Sequence, residues 1–474
     1  MNKIICVQIN EVNFDYIDHY IADGKLPNFA KFFSTHGYVR TTSESEHHLA
    51  NPWIQWPTFH TGLDYKDHKV FRTGDIIHCK EEMLYEILEK NNKSVATLSP
   101  FNAKNTTKNA SYFIPDPWTK TPVTGSKDLV RLYDALCQVT DDYAKNSIAP
   151  KAALNLILGG LPNLQWKNLG GYISGVFKYF IQKQIWQRAV VCDRLLADTF
   201  ITQLKKHKSD FSSVFLNCGA HLQHHYLFSS PYYKGPRKSP KWHVKPGLDP
   251  LYDAYKLYDD ILGDLVSNFG KERIMLVSGL RQAAHERETF YYRLDDHEKF
   301  LNDIGLEYKN TYRLMTEDFI INFDNIEKAK DAEKKLSEVV TFDCENVFYV
   351  ETGDQENRTL NTAANIFQIE NRGDSLYLQL KPSAKSLTHD MSVKSGNTVI
   401  NNFQDLISFA QYKNTHHEGD GYYADSAKAK GELPEEFPLK NVFAMILDNF
   451  GIKDDNPKRQ IEQHKDALLR HSGE

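Results

Sequence analysis

Short, continuous apolar runs alternate along this chain with longer segments whose apolar residues recur every three or four positions. Ile4 to Ile9 is apolar but for Gln8, the pattern of a strand covered on both sides of a sheet. It ends in Asn10-Glu11-Val12-Asn13, and helical periodicity follows from about Phe14 to Ala22 until Asp23-Gly24 stops it. Leu26-Pro27-Asn28 opens a second helix that Gly37 ends, and Asn51-Pro52 opens a third, with proline at the first helical position and Thr61-Gly62 at its end. Met83 to Lys90 and then Ser94 to Leu98 give another helix and strand. Strands alternating with helices at this pitch predict an α/β fold, a mainly parallel sheet sandwiched by helices.

Further along, the pattern is helical from about Asp128 to Lys208, and Ser213 to Leu216 reads as a buried strand. Leu251 to Phe269 is helical, Arg273 to Val277 is a strand, and Tyr312 to Tyr349 reads strand, charged helix, strand. Leu376 to Leu380 alternates as a strand, Asn414 to Tyr423 reads as a polar, glycine-bearing turn, and Pro438 to Phe450 as a closing helix. The organisation expected is a core over 1–126, a helical insertion over 127–209, core again over 210–304, a small α+β cap over 305–395, and the end of the core with a polar tail over 396–474. The stretch Ala152 to Ile185 is rich in Leu, Ile, Phe and Gly with lysines between. It fits an inserted lid or a helix lying on a membrane surface; its glycine and proline breaks favour an insertion packed on the core.

Composition narrows the function classes. At 474 residues, two or three lobes or one large domain with insertions are expected. Lys+Arg 57 against Asp+Glu 62 leaves a net charge of -5, which argues against a nucleic-acid binder. The six cysteines are scattered without a CxxC pair, so they read as reduced thiols rather than a zinc knuckle. The opening apolar run is too short for a signal peptide and no run suits a spanning helix, so a cytoplasmic protein is expected.

Candidate chemistry gathers at strand ends. Asn217-Cys-Gly-Ala-His221-Leu-Gln-His224-His225 follows a strand, where α/β sheets place ligand sites. His221 and His225 share a helical face, while His224 reads as a helix cap and His60 and His68 as structural. Glu11 at the tip of the first strand is either a site carboxylate or the cap of the next helix. The helix start at Asn51 suits an anion, because its first N–H groups lack helical partners. The basic loop Lys234 to Lys245 reads as solvated surface.

Glu11, the Asn51 helix start with Thr61-Gly62-Leu63 and His68, Asn217-x-x-x-His221, and His417-Glu-Gly-Asp-Gly421 fall in one order, after the opening Gly24-Lys-Leu-Pro-Asn28. This order resembles the alkaline phosphatase superfamily, in particular its type I phosphodiesterase/nucleotide pyrophosphatase and sulfatase-like branch, over roughly 1–125, 210–300 and 395–452. The resemblance implies an alkaline-phosphatase-like sheet with two metal ions, commonly zinc, at its C-terminal edge. It would place a carboxylate ligand on Glu11, an Asp-x-x-x-His pair on Asn217 and His221, a late histidine on His417, and the nucleophile near Asn51. The chain departs from that pattern: Asn51 has no hydroxyl, Thr58 lies about two turns inside the helix, Asn217 is neutral, and Gly279 and Leu280 stand where an Asp-His pair belongs.

The expectation is therefore a hydrolase or transferase acting on a phosphoester, with a small-molecule or sugar-linked anionic substrate, through a divergent, single-metal site. Asn217, His221 and His417 are the expected ligands, completed by Glu11 or His225, a donor set that suits zinc or manganese. Glu11, Asn51 and Arg281 are expected at the chemistry, with Gln55, His225 and Gln282 on the substrate. The competing expectation is a repurposed, metal-free pocket acting on glycosyl groups or binding in surface-polysaccharide assembly.

Overall fold

The computed structural model describes residues 3–44, 46–141, 150–314, 317–341, 349–350, 359–360, 365–383, 387 and 391–459. Two compact units divide the chain, one of 1–136, 151–284 and 415–474, the other of 137–150 and 285–414.

The first unit starts with β1 (Ile4–Ile9), whose alternate side chains feed two hydrophobic layers. Ile5, Val7 and Ile9 enter one, Ile4 and Cys6 the other. Then come α1 (Phe14–Ala22), α2 (Pro27–His36), β2 (Val39–Thr42), α3 (Pro52–Thr61), α4 (Tyr65–His68), α5 (Leu84–Lys90), β3 (Val95–Leu98) and β4 (Tyr112–Ile114). Helices α6 (Lys127–Asp141), α7 (Pro150–Gly160), α8 (Leu169–Phe180) and α9 (Gln187–His207) precede β5 (Phe211–Leu216), α10 (Cys218–Tyr226), α11 (Pro250–Phe269) and β6 (Arg273–Val277). A long β7 (Arg281–Leu294) leads out of the unit.

The second unit holds α12 (His297–Asp303), β8 (Asn310–Arg313), β9 (Asp318–Asn322), α13 (Ile326–Ser337), β10 (Val340–Thr341), β11 (Tyr349–Val350), β12 (Thr359–Leu360), β13 (Phe367–Asn371), β14 (Ser375–Leu380), β15 (Val393–Ser395) and β16 (Thr398–Ile400). Its antiparallel sheet runs β13-β14-β9-β8, with the buried Ala329, Ala332 and Leu336 of α13 packed on β13 and β14. The segment 305–395 read from the sequence lies inside this unit. Strand β17 (Ile407–Glu418) pairs with β7 and returns the chain to the first unit, which ends in β18 (Asp420–Asp425), β19 (Glu436–Pro438) and α14 (Asn441–Asn449).

The large sheet has the order β19-β2-β18-β6-β1-β5-β3-β4, parallel from β6 through β4, with helices on both faces. Strand β18 runs antiparallel to β6, so its first residues lie at the same rim as the C-terminal ends of β1 and β5. That single reversal carries the His417 segment to the tips of Glu11 and Asn217. The expected turn over 414–423 is instead the end of one strand and the start of another. The buried residues at the end of β17, Asn414, Thr415 and His417, are polar, so hydrophobic alternation could not reveal that strand, while Tyr422 and Tyr423 of β18 enter the core. Gly170 and Gly171, expected to break a helix, lie within α8.

Two local devices fix the site's supports. Pro57 inside α3 cannot donate to the Trp53 carbonyl one turn back, and Asn102 Nδ2 takes that acceptor at 2.7 Å. Gly219 lets α10 sit close on the loop after β1 and on α11, since a Cβ there would meet Val12 Cγ2 at 2.6 Å and Tyr258 Cε2 at 2.8 Å.

Candidate metal centre

At the rim, Glu11 stands between two histidines. Its Oε2 lies 3.0 Å from His224 Nε2 and 3.2 Å from His417 Nε2, and the two nitrogens are 3.2 Å apart. Glu11 and His417 are buried and His224 is partly so. Glu11 is a strained residue. Its φ of 57 is left-handed, which costs a residue with a Cβ about 1–3 kcal/mol. The surroundings impose it: Glu11 N donates to the Ser278 carbonyl (2.9 Å), and Gln223 Nε2 donates to the Glu11 carbonyl (2.8 Å).

The hydrogen bonds around this triangle determine where its protons are. Asn51 Nδ2 donates to the His48 carbonyl (2.9 Å), which turns Oδ1 toward His417 Nδ1 at 3.1 Å. An amide oxygen only accepts, so Nδ1 of His417 carries the proton and Nε2 presents a lone pair. Gln282 Nε2 donates to the Ala220 carbonyl (3.0 Å) and to Glu11 Oε2, leaving Oε1 to accept from Thr415 Oγ1 at 2.6 Å. With its one proton so used, Thr415 Oγ1 accepts from His224 Nδ1 at 2.9 Å, and Nε2 of His224 is again the lone-pair atom. The second Glu11 oxygen accepts from Asn10 Nδ2 (3.0 Å), and Asn10 is oriented by Trp56 Nε1, a pure donor, at 2.7 Å.

Three electron-rich atoms thus face one another, their outer partners fixing each of them. Burial pushes the Glu11 pKa up, but His417 and His224, once protonated, outweigh it through their charge and hydrogen bonds and hold the carboxyl well below the usual range. Only protons or a cation relieve such a convergence. The spacing suits a cation: ligands at 2.0–2.1 Å from a tetrahedral zinc lie about 3.3 Å apart, close to the sides found here. Imidazole nitrogens whose other N–H is engaged, beside a carboxylate, are the donors such ions take.

The expected residues divide. Glu11 and His417 join the triangle, and His224 takes the place expected for His221. Three residues along α10 turn a side chain by roughly 60° of azimuth, and that turn separates the two. The His221 ring packs on His225 at 4.5 Å, and burial, with Arg188, His224 and His243 nearby, pushes its pKa down to about 3. Asn217 accepts from Asn10 Nδ2 at 2.9 Å, one step behind the triangle. Gln282 and Asn51 orient its members. Asn51 does not cap α3 with its side chain, which is committed to His48 and His417. Arg281 Nε is bound by both oxygens of Asp420 at 2.8 Å. Gln55 is buried and donates to the Leu49 carbonyl (3.2 Å), and the His225 carbonyl meets His243 Nε2 at 3.0 Å. Thr58 is buried, donates to the Ile54 carbonyl and meets His68 Nε2 at 3.2 Å, away from the start of α3.

The sequence reading missed His224, Asn10 and Thr415. Thr415 did carry a signal, since it lies two positions before His417 and so shares its strand face.

No protein-family model matches the chain, and no match is found among curated protein sequences. Solved structures similar to it include phosphonoacetate hydrolase from Sinorhizobium meliloti 1021 in complex with phosphonoacetate, at 10% identity over 95% of this chain and 96% of that one, with a TM-score of 0.38. Human ectonucleotide pyrophosphatase/phosphodiesterase 5 is similar at 10% identity over 96% of each chain (TM-score 0.39), and its murine counterpart at 7% over 95% of each (TM-score 0.37). These neighbours are members of the alkaline phosphatase superfamily, the group that the ordered motifs resemble. At these TM-scores the likeness lends nothing to the chemistry of the site.

Proposed function

We propose that this protein is a hydrolase or transferase acting at a phosphoester and depending on one divalent metal held by Glu11, His224 and His417. The observation that carries this reading is the triangle of lone-pair atoms whose outer nitrogens are both committed to acceptors. A cation bound there supplies Lewis-acid stabilisation of charge developing at an ester oxygen and brings water toward a pKa of about 7. The chain's own residues supply the rest. Asn51 and Thr415 hold the imidazoles in one tautomer, while Asn10 and Gln282 hold the Glu11 carboxylate in one orientation. At the start of α3, where Asn51 touches His417, Pro52 carries no N–H and those of Ile54 and Gln55 go to the Asn51 carbonyl, so the Trp53 N–H is the donor left for an anionic group. With no hydroxyl at Asn51 and Thr58 committed elsewhere, water or an acceptor alcohol of the substrate is the nucleophile.

A metal-free, repurposed pocket is favoured by one set of facts: Asn217, Gly279 and Leu280 offer no charged ligand for a second ion. The two readings separate in an assay of the purified protein on bis-p-nitrophenyl phosphate. Turnover that a chelator abolishes and zinc or manganese restores supports the metal-dependent reading. Absence of turnover on any phosphoester or sulfoester, with no metal retained, supports the other.

A further inference from the structure

Helices α7 and α8 turn their apolar residues outward. On α8, Tyr172 donates to Asp198 (3.0 Å), Gly175 backs onto Val191 of α9 and Lys178 reaches Asp253 (3.4 Å), which defines the inner face. The opposite face carries Ile173, Phe177 and Phe180 at helical spacing, 62%, 52% and 59% exposed. On α7, Gly159 backs onto Leu132, and Leu154, Ile157 and Leu158 are turned to the exterior. Trp166, between the two helices, is 71% exposed. An apolar stripe of this extent marks a surface that is covered in use.

Charge identifies the cover. Residues 150–186 contain no Asp or Glu but four lysines, Lys151, Lys167, Lys178 and Lys183. Lys167 and Lys178 pair with Asp264 and Asp253 of α11, while Lys151 and Lys183 are exposed at the two ends of the patch. A second copy of the chain would set this acid-free, lysine-bearing face against its own like. A layer of anionic headgroups over acyl chains meets both the cations and the stripes. Among the described residues no helix is long and apolar enough to cross a membrane, so the contact is in the plane of the interface.

We infer that the α7–α8 face docks the protein on the surface of an anionic lipid bilayer, with Trp166, Ile173, Phe177 and Phe180 entering the headgroup boundary. This stands apart from the metal site and does not depend on it. The test is flotation of the full chain with vesicles of phosphatidylcholine alone or in equal mixture with phosphatidylglycerol. The wild type is expected to float with the mixed vesicles and bind the neutral ones at least tenfold less. I173E/F177E is expected to stay at the bottom of the gradient with an unchanged thermal transition, and K183Q to bind about fivefold more weakly. The inference is overturned if the folded wild type ignores the mixed vesicles, binds both kinds equally, or binds as well after I173E/F177E. A discrete lipid-free dimer dissolved by the same substitutions would also overturn it.

Discussion

Two parts of the first unit handle polarity in opposite ways. At the rim under α10, polar side chains are buried and bound to one another through Asn10, Glu11, Gln282, Thr415, His224, His417 and Asn51. On α7 and α8, apolar side chains are left in water. Burying polar groups is tolerable only when each finds a partner, and exposing apolar ones only when something covers them in use. Each region therefore carries a cost in the isolated chain that a ligand would remove. At the rim the cost is electrostatic and directional, so it names donor atoms and a cation. On the helices it is non-directional and names only a kind of surface. The lesson is that the first can be broken atom by atom, the second only by changing the character of a face.

The largest effects are expected at the triangle. H224A, H417A and E11Q should each lower metal affinity by more than the ~10–100-fold typical of losing an outer partner, measured by titration into the chelated protein. If one of the three binds metal like the wild type, that residue lies outside the site. Next come the outer partners: N51A and T415V should weaken metal binding and activity by ~10–100-fold while retaining the metal at saturating concentration. A T415V protein indistinguishable from wild type would mean that the His224 tautomer is not set there.

G219A tests the seat of α10 against the loop after β1 and α11. Overpacking against Val12 and Tyr258 should cost about 1–3 kcal/mol in chemical denaturation and disturb the rim with it. H221A should leave metal content unchanged, since His221 packs on His225 outside the triangle; loss of metal there would restore the reading based on sequence spacing. The smallest effect on folding is expected from I173E/F177E, within about 0.5 kcal/mol of wild type for each exposed position. A large loss of stability would show that these residues are packed rather than exposed.

Strand and helix positions of the core were legible because burial on both faces leaves largely apolar runs, as in Ile4–Ile9, interrupted only by Gln8, and in Val214 to Leu216 at the end of β5. The rim was legible in part. Glu11 and Asn217 sit at strand tips, which an α/β pattern marks as site positions. The third ligand was not, because choosing between His221 and His224 depends on the azimuth at which α10 leaves β5. That azimuth is set by tertiary contacts: Asp193 Oδ2 accepts from Cys218 N at 2.7 Å, and Tyr258 OH accepts from Gly219 N at 2.7 Å. The strand around His417 was hidden for a related reason, since its buried residues are polar and serve the site rather than the core.

Metal stoichiometry of the purified protein, measured by elemental analysis alongside H224A, H417A and H221A, tests the central claim most directly. The triangle predicts one equivalent of zinc or manganese per chain in the wild type and H221A, and its loss in H224A and H417A. A wild type without metal after growth and dialysis with either ion, or an H224A protein that retains the full equivalent, would contradict it.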